Sequence, residues 1–132
     1  MLPSTKRNTK VYLVEDQELV KAYISEMLES TPEFELVGSA TNAEDALNDL
    51  EELEVELVIM DIGLPGMNGI QATRLLKQRH PQVTVMMLTG EDDHIGEAIE
   101  AGALGYVTKL CSPKILLEAI EDVLLAAKQQ PG

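Results

Sequence analysis

Short apolar runs alternate with stretches of helical spacing along the whole chain. The runs predict five strands, over residues 10–14, 34–39, 56–60, 83–88 and 105–108. Leu19, Val20, Tyr23, Ile24, Met27 and Leu28 recur at the three-to-four spacing that lines one face of a first helix. Asn42, with Asp45 three residues on, predicts a capped start for a second, which turns Ala46, Leu47 and Leu50 inward. A third helix is expected from about 69 to 79, stopping ahead of Pro81 because the residue before proline resists the helical conformation. A fourth is expected from about 92 to 101, with Gly96 inside it and Gly102 closing it. Ser112-Pro113 opens the fifth, a cap residue followed by proline at the first helical position. That helix presents Ile115, Leu116, Ala119, Ile120, Val123 and Leu124.

Strand–helix alternation of this kind predicts an α/β fold: a parallel sheet, helices on both faces and right-handed crossovers. Sites in such folds lie beyond the carboxyl ends of the strands, where the strand order reverses. No internal linker, repeat or low-complexity stretch interrupts the pattern, so residues 1–132 read as one domain. Its core covers about 9–127, with 1–8 and 128–132 as frayed ends or the start of a linker.

Composition sharpens the picture. Aromatics make up only 3% with no Trp, so the core must be aliphatic. A formal charge of −13 opposes binding to nucleic acid or an anionic membrane by this domain itself. Cys111 has no second cysteine to pair with, which suits a reducing cytosol, and it reads as a small half-buried residue. Met1 to Lys10 lacks the apolar segment of a signal peptide, and no apolar run could span a bilayer. A cytoplasmic location is expected.

The candidate chemistry sits at the strand ends. Glu15-Asp16 follows the first strand, Asp61 the third, Thr89 the fourth and Lys109 the fifth. Each has an ordinary explanation: Asp16 as a helix cap, Thr89-Gly90 as a turn, Lys109 as a solvated charge. Those explanations leave Asp61 unaccounted for, and a common sheet edge unites all five. Neighbouring carboxylates repel one another unless a cation sits among them, and hard oxygen ligands suit Mg²⁺ or Mn²⁺. An Asp carboxylate can attack a phosphoryl donor and hold the group as an acyl phosphate. Thr89 and Lys109 can then bind phosphoryl oxygens by hydrogen bond and point charge. His80 and His94 read as surface residues, His94 near the pocket rim, and Met86-Met87 as core.

These motifs resemble the receiver domain of two-component response regulators, over residues 9 to 127. The carriers are Glu15-Asp16, the run Asp61-Ile62-Gly63-Leu64-Pro65-Gly66-Met67-Asn68-Gly69, Thr89, Tyr106 and Lys109. The resemblance implies a flavodoxin-like doubly wound fold with strand order 2-1-3-4-5. It implies Asp61 as phosphoacceptor and Asp16, Asp61 and the Gly63 carbonyl as Mg²⁺ ligands, with Glu15 acting through water. Lys109 would contact the phosphoryl group, while Thr89 and Tyr106 would reshape the face of the fourth helix, fifth strand and fifth helix. A histidine kinase or phosphotransfer protein would be the donor, and an output domain or effector the recipient. The implied protein is a switch and not an enzyme, monomeric or dimerising on phosphorylation.

Two positions depart from the family's habit: Leu110 stands where proline is common, and Gly90 where alanine is frequent. A cis Lys109–Leu110 peptide would cost several kcal/mol more than one before proline. Residues 101–113 resemble the branch with a C-terminal helix-turn-helix DNA-binding domain, so the chain reads as a fragment of such a transcription regulator or as a stand-alone regulator, with the fragment preferred. Rival readings fit less well. A haloacid-dehalogenase-type phosphatase needs a second acid at position 63, which is Gly. A flavin module needs a phosphate cradle where Glu15-Asp16 stands. The remaining rival is a pseudo-receiver that only binds partners.

Overall fold

The computed structural model describes residues 8–90 and 94–129. Its elements run β1 (Thr9–Val14), α1 (Glu18–Glu29), β2 (Phe34–Ala40), α2 (Ala43–Leu50), β3 (Leu57–Asp61), α3 (Gly69–Arg79), β4 (Thr84–Thr89), α4 (Ile95–Ala101), β5 (Gly105–Thr108) and α5 (Pro113–Lys128). All strands are parallel, in the order β2-β1-β3-β4-β5. The flavodoxin-like arrangement is the one expected, and the order reverses between β1 and β3. β3 and β4 are buried along their whole length, which is why they read as unbroken apolar runs.

Alternate strand residues feed two cores. Tyr12, Val14, Val58, Met60, Val85 and Met87 face α2, α3 and α4. Val11, Leu13, Leu57, Ile59, Met86 and Leu88 face α1 and α5. The caps follow local chemistry. Asn42 accepts from the Asp45 N–H, Ser112 from Ile115, and Asn68 forms a reciprocal capping box with Gln71. Gly102 ends α4 at φ 121, where a side chain would be strained.

Two expectations need correction. Leu19 is 86% exposed and Tyr23 lies at the surface, so α1 buries only Ile24, Met27 and Leu28 fully. Ile115, in the first turn of α5, is likewise exposed. Both first turns follow strands at the carboxyl edge of the sheet, so they extend past the surface that would cover them. The described α4 begins at Ile95; Asp92 and Asp93, expected in or beside its start, lie outside the described residues. All described peptide bonds are trans, including Lys109–Leu110.

Candidate functional site

Asp61 is the last residue of β3 and is 1% exposed. The turn after it is built to leave its carboxylate room. The Gly63 N–H donates to Asp61 Oδ1 at 3.0 Å, and the Gly69 N–H to the Ile62 carbonyl at 2.9 Å. α3 starts so close beneath that a Cβ on Gly69 would lie 2.1 Å from the Asp61 carbonyl oxygen. Only glycine allows that approach. Gly66, at φ 72, makes the left-handed bend in the same loop.

Lys109 arrives from the end of β5, anchored by its N–H to the Thr89 carbonyl at 3.0 Å. Its ammonium donates to Asp61 Oδ2 at 2.9 Å, Glu15 Oε2 at 3.1 Å and Gln17 Oε1 at 2.9 Å. Three donors thus meet three acceptors. Glu15 is fully buried, and its Oε2 also accepts the Gln17 N–H at 2.9 Å. Its other oxygen, Oε1, has no hydrogen-bond partner. Glu15, Asp16 and Asp61 each offer a carboxylate oxygen within 4.8 Å of the others.

Burial pushes the Asp61 carboxyl up to about 6. The hydrogen bonds from Lys109 and Gly63 pull it down, while the Glu15 charge and the Asp16 carboxyl push it up. Burial lowers Lys109, yet hydrogen bonds and charge from Asp61 and Glu15 outweigh it and hold the ammonium above its usual value. The pocket is therefore over-supplied with negative charge. A buried glutamate oxygen without a donor, beside two further acids, fits a hard cation and its bound waters.

The predicted residues come together: Glu15, Asp16, Asp61, Thr89 and Lys109 share the carboxyl edge, and Gly63, Gly90 and His94 line the same pocket. Asp16 does not cap α1, because Gln17 occupies the cap position. Tyr106 is half exposed on β5, paired in register with Met87, and does not line the pocket around Asp61. Cys111 is half-buried, its thiol pushed up by burial, and its carbonyl accepts the Tyr23 hydroxyl. His80 pairs with Glu51 at 2.8 Å, away from the site. Gln17 is the residue that sequence reasoning missed; its one signal is its place directly after the acid pair.

A doubly wound five-stranded sheet carrying three acids, a threonine and a lysine at its switch edge defines a receiver-type signalling domain. The family model for the response regulator receiver domain matches residues 11–121, and the chain belongs to that family. The transcriptional regulatory protein LnrK of Bacillus subtilis is 34% identical over 116 residues, 86% of this chain and 53% of the relative. The response regulator GacA of Pseudomonas syringae is 35% identical over 86% of this chain and 54% of its own length. The chain thus spans about half the length of the curated relatives it matches. Among solved structures, a LuxR-family response regulator from Aurantimonas superposes with a TM-score of 0.85 at 33% identity, covering 91% of this chain and 87% of that one. The receiver domain of an HD-domain protein from Pseudomonas fluorescens gives 0.84 at 30% identity, covering 94% and 100%. Among the described residues, no helix is long and apolar enough to cross a membrane.

Proposed function

We propose that the domain is a phosphorylation-dependent switch whose acceptor is Asp61. The observation that carries this reading is a buried carboxylate, held by Lys109 at the switch edge of the sheet, beside a glutamate oxygen that lacks a donor. Asp16, Asp61 and the Gly63 carbonyl would hold Mg²⁺, with Mn²⁺ as substitute and Glu15 reaching it through water. The ion, when bound, offsets charge on the phosphoryl oxygens. Asp61 attacks phosphorus through one carboxylate oxygen, and the donor leaves with the bonding pair. Lys109 exchanges its Asp61 contact for a phosphoryl oxygen, and the Thr89 hydroxyl donates to another.

The new group adds about −1.5 to −2 charges to a pocket already crowded with acids. Thr89 is paired with Thr108 of β5, so a shift of Thr89 is felt by the strand that carries Tyr106. The exposed Tyr106 ring turning inward would alter the α4–β5–α5 face. A histidine kinase or phosphotransfer protein supplies the phosphoryl group in this reading. The altered face controls an output domain or effector, in keeping with relatives that are transcriptional regulators. The domain itself binds neither nucleic acid nor membrane, works in the cytoplasm, and is monomeric or dimerises on phosphorylation.

The test is intact mass after incubation with acetyl phosphate and Mg²⁺. One added phosphoryl group, absent with chelator and absent from Asp61→Asn, is the expected result. No adduct on the wild-type chain would overturn the reading and favour a module that only binds partners.

A further inference from the structure

The start of α1 lacks the cap found on α2, α3 and α5. Gln17 holds the N-cap position at φ −84 and ψ 118, yet its side chain accepts from no helix N–H. Asn42, Asn68 and Ser112 each accept such a bond at the corresponding place. Glutamine is not among the favoured cap residues, and its extra methylene carries the amide past the helix start. Gln17 Oε1 instead accepts from Lys109 Nζ at 2.9 Å, across 92 residues of chain. Its backbone N–H donates to Glu15 Oε2, the same oxygen that accepts from Lys109. Lys109, Glu15 and Gln17 thereby close a ring around one side of the ammonium. The side chain at this cap position is thus committed to a long-range bond at the pocket and not to the helix start.

We propose that Gln17 is a positioning residue for phosphoryl transfer, acting through Lys109; this rests on the reading of Asp61 given above. When Lys109 gives up Asp61 Oδ2 for a phosphoryl oxygen, two acceptors remain to hold the ammonium. Glu15 Oε2 is buried on the sheet side, and Gln17 Oε1 lies on the exposed side. Together they aim the third N–H at the incoming group. Without Gln17 the ammonium is held from one side only and is free to swing about Glu15. Orientation is then lost at the moment charge develops on the phosphoryl oxygens, so the rate of uptake falls while the metal-binding carboxylates stay in place.

The experiment follows phosphoryl uptake from acetyl phosphate by intact mass, over time and across Mg²⁺ concentrations. It compares wild type, Gln17→Leu, Gln17→Glu, Lys109→Ala and the Gln17→Leu/Lys109→Ala double variant. Gln17→Leu keeps the shape and removes the acceptor; uptake should slow about five-fold, as for loss of one exposed charge-assisted hydrogen bond. The Mg²⁺ concentration for half-maximal rate should not move. Gln17→Glu keeps an acceptor at the same reach and should recover most of the rate. In the Lys109→Ala background, Gln17→Leu should change nothing further, since its route of action is gone. Wild-type uptake with Gln17→Leu unchanged would overturn this proposal alone, as would an equal slowing without Lys109. No uptake by wild type would overturn the Asp61 reading and this proposal with it.

Discussion

Asp61→Asn should stabilise the metal-free protein, and by an amount that grows with pH. In the folded chain the Asp61 carboxyl titrates near 6, against 3.8 for an ordinary aspartate. The folded state therefore holds this proton more tightly than the unfolded state. The stability gained from that proton is fully present below about pH 4 and is lost as pH rises through about 6. Roughly two pK units correspond to about 3 kcal/mol at the high-pH limit. Linkage between the two titrations leaves roughly half of that deficit at pH 5 and nearly all of it at pH 8. Asparagine is neutral throughout and escapes it, while Lys109 keeps Glu15 and Gln17 as partners. Urea unfolding of both proteins in chelator, at pH 5 and pH 8, reads the difference directly. Added Mg²⁺ should shrink the gap by raising the wild type selectively, because a ligand of the folded state stabilises by mass action. An Asn variant no more stable than wild type at pH 8, or one whose gain is the same at both pH values, would refute the reasoning.

Two other perturbations test the scaffold. Tyr12 is fully buried in β1, and its hydroxyl donates to Asp49 Oδ2 at 2.5 Å, fastening α2 to the sheet. Tyr12→Phe should cost about 1.5–3 kcal/mol in urea unfolding, the range for a hydrogen bond to a charged group. Gly69→Ala sets a Cβ against the Asp61 carbonyl, so α3 must retreat; stability should fall by about 3 kcal/mol and phosphoryl uptake should drop with it. An alanine variant that melts with the wild type would show that the turn has slack.

The parts of the fold legible in the sequence are those with local causes. α3 spans Gly69–Arg79 as read, because Asn68 and Gln71 cap its start and Pro81 lies just past its end. β5 spans Gly105–Thr108 as read, between Gly102 and the Ser112-Pro113 helix signal. The face of α1 was harder to read. Leu19 has helical spacing but no surface above the strand ends to pack on, and spacing alone does not reveal where a sheet stops. The acids of the site were legible because parallel strands bring their carboxyl ends to one edge. Their electrostatics were not: burial raises Asp61, whereas Lys109 and Gly63 lower it, and the balance depends on depth and distance that the order of residues does not carry. Gln17 stayed hidden because its place after the acid pair says nothing of its partner, which lies 92 residues away. Tyr12 reads as one more strand residue, while Asp49 and the close approach of Gly38 to its ring are set by packing.

Asp61 is the proposed phosphoryl acceptor. Borohydride reduces an aspartyl phosphate to homoserine, so reduction after acetyl phosphate treatment, followed by peptide sequencing by mass, marks the acceptor. Homoserine is expected at position 61, in a yield that depends on Mg²⁺. Homoserine at position 16, or a phosphoryl group carried stably by His94 with position 61 unmodified, would contradict it.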